Sequence, residues 1–250
     1  MNILVVDDYQ ALSRLAAQKI AEAIYNVEAP TLGLATGGTP IGLYKELVSL
    51  YRARKIDFSN VTTFNLDEYV GLAPDHPESY HKFMYDTLFN HINIKPENIN
   101  ILKGDNPDLI KECADFESRI AGARGIDVQV LGIGTNGHIG FNEPGSTPEE
   151  ATRVVKLSNS TLKANSRFFG EQSLVPRLAL TMGLQTILQS SRQIILLASG
   201  SEKAEAVYKM IYDQVSPSLP ASYLQKHKNV VVIADKEAAK KMEAAHCIFV

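Results

Sequence analysis

The sequence predicts an α/β fold: an open, mostly parallel, Rossmann-like sheet with helices on both faces, in a single domain over residues 1–250. Short apolar runs alternate with patterns of helical spacing along the whole chain. Strands that alternate with helices need crossover connections, and these make neighbouring strands parallel. Unusual segments at positions 36–39, 67–69 and 132–143 each follow a predicted strand, so we expect one shared site at the carboxyl ends of the strands.

The predicted strands are short aliphatic runs of the kind that a parallel sheet buries on both faces. The regular ones are Ile3–Val6, Thr31–Ala35, Val61–Leu66, Asp127–Ile133, Gln193–Ala198 and Asn229–Ala234. Arg153–Leu157 and Leu178–Thr181 are less regular candidates. Because strand and helix patterns are weak over residues 153–182, we expect a small lid segment there.

Each predicted helix has apolar residues three and four positions apart, which give it one face to bury. In the first helix, Leu12, Ala16 and Ile20 lie on that face. Pro40 suits the first turn of the second helix, where a missing N–H costs nothing. The predicted helices are Ala11–Tyr25, Ile41–Arg54, Ser79–His91, Pro107–Ala123, Glu202–Tyr212 and Lys236–Ala245.

Composition and charge exclude several classes of partner. The net charge is −3 and no basic run occurs, so we expect no nucleic-acid partner, since binding the phosphate backbone needs clustered Lys and Arg. No apolar run is long enough to span a membrane and the first residues do not resemble a signal peptide, so we expect a cytoplasmic protein without a membrane partner. The histidines and the two cysteines lack zinc-ligand spacing, so we expect no metal.

Thr36-Gly37-Gly38-Thr39-Pro40 lies between a predicted strand and a predicted helix. Backbone amides at a helix start attract anions, and the threonine hydroxyls add donors, so the segment is a candidate phosphate cradle. A tight turn without a ligand is the alternative. No Gly-Lys-Ser/Thr follows, so ATP is not implied. Lys203 lies in the first turn of a predicted helix, where the dipole disfavours a cation unless an anion binds there.

The segment Gly132–Pro144 combines four glycines with His138 and Glu143. Its Gly-x-Gly-x-x-Gly pattern matches the dinucleotide fingerprint, but Gly140 and Pro144 oppose the helix that such a fingerprint opens, so we reject that function. A histidine close to a carboxylate is a candidate for proton transfer near neutral pH. A solvated loop histidine is the alternative.

Asp67 and Glu68 end the third predicted strand. Because adjacent strand side chains point to opposite faces, only one of them can enter a common pocket, and the other would be structural. A helix or turn cap is the alternative function of such a carboxylate.

Together these segments resemble the glucosamine-6-phosphate deaminase family. The matching segments are Leu34–Pro40, Thr63–Gly71, His76–Tyr80, Gly132–Pro144, Ala164–Phe169 and Gly200–Lys203, in family order. The resemblance implies conversion of glucosamine 6-phosphate to fructose 6-phosphate with loss of ammonia, without a cofactor. It implies that Asp67 moves a proton from C2 towards C1 and that His138 opens the sugar ring, supported by Glu143 and Asn136. The implied substrate- and phosphate-binding residues are Thr36, Gly37, Gly38, Thr39, Gly137, Arg167 and Lys203.

Two departures from the family pattern matter. Some members carry aspartate where this chain has Asn136, so ring opening here would depend more on Glu143 and His138. Longer hexameric members carry a lysine in place of Val155 and extend beyond Val250, so we expect a non-allosteric monomer. The alternatives are a related 6-phosphogluconolactonase, which would not need the Asp67 segment, and a non-catalytic sugar-phosphate sensor.

Overall fold

An eight-stranded, all-parallel sheet forms the centre of the computed structural model, which describes residues 1–171, 174–242 and 247–250. Within the described residues its strand order is β11-β1-β10-β9-β6-β2-β3-β5. The strands are β1 (Asn2–Val6), β2 (Thr31–Leu34), β3 (Thr62–Asn65), β5 (Ile99–Asn100), β6 (Ile126–Gly132), β9 (Ser191–Ala198), β10 (Val230–Asp235) and β11 (Ile248–Phe249). The predicted α/β class and parallel sheet are confirmed.

A second, antiparallel sheet of three strands packs beside the main sheet. Its strands are β4 (Asp67–Tyr69), β7 (Arg153–Lys156) and β8 (Leu178–Thr181), in the order β4-β8-β7. Asp67 pairs with Thr181, and Tyr69 pairs with Ala179. Residues 62–69, predicted as one strand and its end, therefore divide between two sheets at Leu66, whose amide still bonds to Leu34 of β2.

The helices are α1 (Tyr9–Asn26), α2 (Ile41–Arg52), α3 (Tyr80–Thr87), α4 (Leu109–Gly122), α5 (Asn159–Phe169), α6 (Leu184–Ser190), α7 (Ala204–Tyr212) and α8 (Lys236–Ala239). Side-chain caps set several of their starts: Asp8, Ser79, Asp108 and Ser158 each accept a bond from the backbone N–H three residues later. All six predicted helices occur, with shifted ends. The last one ends at Ala239, and its predicted residues 243–245 lie outside the described residues.

Helices α5 and α6 were not predicted. α5 lies inside the segment that we expected to be a lid, and α6 immediately precedes β9. The core beneath the site is aliphatic: Val130 and Leu131 of β6 and Ile195 and Leu196 of β9 are fully buried. Burial of this kind holds the strand ends, and therefore the loops that follow them, in fixed positions.

Candidate active site

A cavity of about 460 Å³ lies where the loops after β2 and β6 meet the start of β4 and the 3₁₀ turn Ser201–Lys203 before α7. It brings together most of the predicted site: Thr36, Gly37, Gly38, Thr39, Asp67, Asn136, His138 and Lys203 all line it. A larger recess of about 580 Å³ lies at the amino ends of β2 and β3 and contains none of the predicted site residues. The chemistry of the lining, rather than the volume, therefore identifies the candidate site.

The loop from Thr36 to Pro40 forms one wall of this cavity. Gly37 has a φ of +95°, a conformation that side chains disfavour. The Tyr9 hydroxyl donates to the carbonyl of Gly38 (3.2 Å) and accepts from the amide of Gly42 (2.8 Å), so it fixes the loop to the first turn of α2. The loop therefore presents glycine backbone and threonine hydroxyls to the cavity at the start of a helix.

Asp67, the first residue of β4, is buried with 5% of its surface exposed. Burial, together with the negative charge of Glu68, raises the pKa of Asp67 to about 8, while a hydrogen bond from Thr36 opposes the rise. A carboxylate with so high a pKa is a stronger base than an ordinary aspartate, and it lines the cavity.

Glu68 points away from the cavity, as alternation along the strand requires. Its carboxylate accepts bonds from the amides of Tyr69 (2.8 Å), Tyr80 (2.9 Å) and His81 (2.8 Å), and so holds the start of α3. Burial raises the pKa of Glu68 to about 7, the three backbone bonds oppose that rise, and the charge of Asp105 adds to it.

The Asn136 side chain sets the tautomer of His138. Its amide oxygen lies 2.7 Å from Nδ1 of His138, and its amide nitrogen donates to Oε2 of Glu143 (2.9 Å) and to Oγ of Ser160 (3.2 Å). Because the carboxylate must face the NH₂ group, the amide oxygen faces the imidazole, where it can only accept. Nδ1 of the neutral ring therefore carries the proton, and Nε2 is a proton acceptor.

Burial favours the neutral form of the His138 imidazole. Burial lowers its pKa, the charge of Glu143 opposes this, and the charge of Lys203 adds to it. Glu143 does not line the cavity but supports it from behind: its Oε2 lies 3.7 Å from Nδ1 of His138, and its Oε1 accepts a bond from the Thr161 hydroxyl.

One predicted binding residue stands apart from this arrangement. Gly137 does not line the cavity; its carbonyl accepts a bond from the amide of Ala221, and its α-carbon packs against Leu219. For a second predicted binding residue, Arg167, the structure describes the backbone and not the side chain. We had not selected Tyr9, Ser160 and Asn165, which also line the cavity. Ser160 and Asn165 belong to α5. The sequence signal for that helix is Ser158, a capping residue that precedes its apolar positions.

Among the described residues, no group of three or more His, Cys, Asp or Glu side chains is placed to hold a metal ion. None of the described helices is both long and apolar enough to cross a lipid bilayer.

The chain is similar to known proteins along its whole length. Residues 7–233 match the family model described as glucosamine-6-phosphate isomerases/6-phosphogluconolactonase. Glucosamine-6-phosphate deaminase 2 of Bacillus subtilis is 57% identical over 246 residues, covering 98% of this chain and 99% of that protein. Glucosamine-6-phosphate deaminase of Clostridium acetobutylicum is 52% identical over 242 residues, covering 97% of this chain and 100% of that protein.

Solved structures extend the similarity to three dimensions. A monomeric glucosamine-6-phosphate deaminase superposes with a TM-score of 0.94 at 47% identity, covering 96% of this chain and 99% of that one. The 6-phosphogluconolactonase of Trypanosoma cruzi superposes with a TM-score of 0.77 at 22% identity, covering 97% of each chain, which is a likeness of fold.

Proposed function

This chain belongs to the family of glucosamine-6-phosphate isomerases and 6-phosphogluconolactonases, and we propose that it converts glucosamine 6-phosphate and water to fructose 6-phosphate and ammonia. The observation that carries this proposal is that Asp67 and His138 line the cavity that also holds the Thr36–Thr39 loop and Lys203. A base, a neutral imidazole and an anion-binding loop in one cavity are the groups that such a reaction needs.

In the proposed reaction His138 opens the sugar ring. Its Nε2, left unprotonated by the bond between Nδ1 and Asn136, takes the proton of the C1 hydroxyl and returns it to the ring oxygen as the C1 carbonyl forms. The nearby Glu143 carboxylate stabilises the imidazolium that exists between the two transfers. The imidazole releases to the ring oxygen the proton that it takes from the C1 hydroxyl, so His138 ends the step neutral.

Asp67 then carries out the isomerisation. Its carboxylate removes the C2 proton, which is acidic next to the C1 carbonyl, and delivers it to C1. A proton also passes from the C2 nitrogen to the C1 oxygen, so the product of the rearrangement carries a hydroxyl on C1 and a C=N bond at C2. Addition of water to C2 and departure of the nitrogen as ammonia leave the ketone of fructose 6-phosphate, so one water molecule is consumed for each ammonia released.

The phosphate of the substrate would bind to the Thr36–Thr39 loop and Lys203. The loop provides amides and hydroxyls at the start of α2, and Lys203 provides a positive charge in the lining of the same cavity. Binding the phosphate at this point fixes C1 and C2 with respect to Asp67 and His138, which converts binding energy into alignment of the reacting atoms.

Neither alternative from the sequence, a lactonase or a sugar-phosphate sensor, accounts for Asp67 as well as a deaminase does. Lactone hydrolysis does not require removal of the C2 proton, and a sensor needs no base at all, whereas a buried carboxyl that lines the cavity suits an enzyme that abstracts a proton. Identities of 57% and 52% are to deaminases, whereas the lactonase structure is 22% identical.

We also propose that the enzyme is a monomer that takes part in N-acetylglucosamine catabolism in the cytoplasm. Similarity to a monomeric deaminase supports the first part, and sedimentation at several protein concentrations would test it. A phosphorylated sugar is too highly charged to cross a bilayer unaided, which supports an enzyme that acts where its substrate is made.

The purified protein would be assayed with glucosamine 6-phosphate for ammonia and fructose 6-phosphate, and in parallel with 6-phosphogluconolactone for acid release. We expect both products in equal amounts from the amino sugar and no acceleration of lactone hydrolysis. Lactone hydrolysis without ammonia release would establish the alternative reaction instead.

A further inference from the structure

Helix α5 contacts residues that position both His138 and Asp67, the two groups proposed to transfer protons. Its first turn contacts the ring-opening side: Ser160 accepts a bond from the Asn136 amide (3.2 Å), and the Thr161 hydroxyl donates to Glu143. The backbone amide of Ser158, its capping residue, also points to Glu143 at 3.4 Å. The position of His138 therefore depends on the first turn of α5.

The next turns of α5 contact the side of Asp67. The Asn165 amide donates to the Tyr69 hydroxyl at 2.8 Å. Tyr69 is the last residue of β4, the three-residue strand that begins with Asp67, and only 1% of its surface is exposed. A buried phenol needs a hydrogen-bond partner, and Asn165 supplies one that ties the Tyr69 hydroxyl to α5.

Tyr69 in turn places the aromatic wall of the cavity. The Tyr80 hydroxyl donates to that of Tyr69 (3.3 Å), their ring centroids lie 4.9 Å apart, and the Tyr80 ring stacks on Phe141 at 5.9 Å. Tyr80 and Asp67 line the same cavity, and Tyr69 belongs to the three-residue strand that begins with Asp67. Hydrogen bonds and ring contacts thus join α5 to the strand that carries the base.

We propose that Asn165 is a positioning residue for the C2 proton transfer. It holds Tyr69, and through Tyr69 it holds Tyr80 and Asp67. The same helix contacts Asn136 and Glu143, so it keeps Asp67 aligned with His138. This inference rests on the proposed deaminase function. Because proton transfer requires reacting atoms at hydrogen-bonding distance, a small displacement of Asp67 slows this step more than it weakens substrate binding.

The test compares Asn165→Leu, Tyr69→Phe and the double variant, with Lys163→Leu as the control, because Lys163 is an exposed residue of the same helix that does not line the cavity. We expect each single variant to lower kcat about tenfold or more with KM changed less than about twofold. The double variant should be no worse than Tyr69→Phe, since that change already removes the bond from Asn165 together with the bond from Tyr80. The control should match the parent enzyme.

A second readout separates positioning from general damage. With C2-deuterated glucosamine 6-phosphate, the isotope effect on kcat should rise in Asn165→Leu, because C2 proton transfer becomes the slower step; loss of folded protein alone would leave this ratio unchanged. Should Asn165→Leu fail to fold, Tyr69→Phe keeps the ring and tests the same bond.

An Asn165→Leu enzyme with the parent's kcat and isotope effect would overturn the inference, as would effects of the two single changes that multiply in the double variant. Neither result affects the proposed function, which fails only if the parent itself releases no ammonia from glucosamine 6-phosphate.

Discussion

The amide oxygen of Asn136 lies 2.7 Å from Nδ1 of His138, while the amide nitrogen of the same side chain donates to Glu143 at 2.9 Å. The side-chain amide of Asn136 thus lies between an imidazole and a carboxylate and forms a hydrogen bond with each. The arrangement fixes the proton on Nδ1 and keeps Nε2 basic without adding a second negative charge to a buried group.

Replacing this amide by a carboxyl, Asn136→Asp, should move the acid limb of kcat/KM to higher pH. The new carboxylate would place a second negative charge beside His138, in addition to that of Glu143, and so raise the pKa of His138. The measurement is kcat/KM from pH 5 to 9. Asn60→Asp adds the same charge at the opposite edge of the sheet and should leave the limb in place. An unmoved limb in Asn136→Asp would refute the assigned coupling.

Asp67 should titrate far above the ordinary range of aspartate, with a pKa of about 8, because it is buried beside Glu68. Carbon NMR of carboxyl-labelled aspartates should show one signal that titrates near pH 8 and is missing from Asp67→Asn. All aspartate signals titrating below pH 5 would contradict the environment described for this residue.

The same burial predicts that Asp67→Asn stabilises the fold at alkaline pH. A raised pKa means that the folded state holds a proton that the unfolded state releases, so stability falls as pH rises from about 4 to about 8. The variant lacks this loss and should gain up to roughly 5 kcal/mol at pH 9 and little at pH 4. Urea denaturation at both pH values measures this, and equal gains at the two pH values would contradict it.

Lys203→Ala should raise KM for glucosamine 6-phosphate tenfold or more, because Lys203 is a cation in the lining of the cavity that would bind the phosphate, while kcat changes less. Lys209→Ala is the control: Lys209 lies on α7, the helix that follows Lys203, and its exposed Nζ is 3.1 Å from Oε1 of Glu205. Inhibition by inorganic phosphate should weaken in the first variant only. Equal KM values for both variants would remove Lys203 from the phosphate site.

The parallel sheet and the loops at its strand ends could be predicted because they depend on local patterns. Aliphatic runs such as Gln193–Ala198 are buried whatever lies next to them, and the glycines of Gly132–Pro144 break regular structure by themselves. Asp67, His138 and the Thr36 loop could therefore be placed at one edge of the sheet from sequence alone.

The second sheet and α5 could not be predicted in the same way. Nothing in the run from Val61 to Val70 shows that it leaves the main sheet at Leu66, because the partner of β4 is β8, more than a hundred residues later in the chain. α5 buries only part of its surface, and much of that faces polar groups of the site, so its apolar pattern is short. Ser160 and Asn165 were missed for this reason.

The most direct test of the account is exchange of the C2 proton of glucosamine 6-phosphate with deuterated solvent in Asp67→Asn, with Asp86→Asn, an exposed partner of Lys82, as the control. We predict that Asp67→Asn still binds the substrate but loses exchange and ammonia release at least a thousandfold together, while the control retains both. Exchange at the parent's rate in Asp67→Asn would show that another group removes the proton.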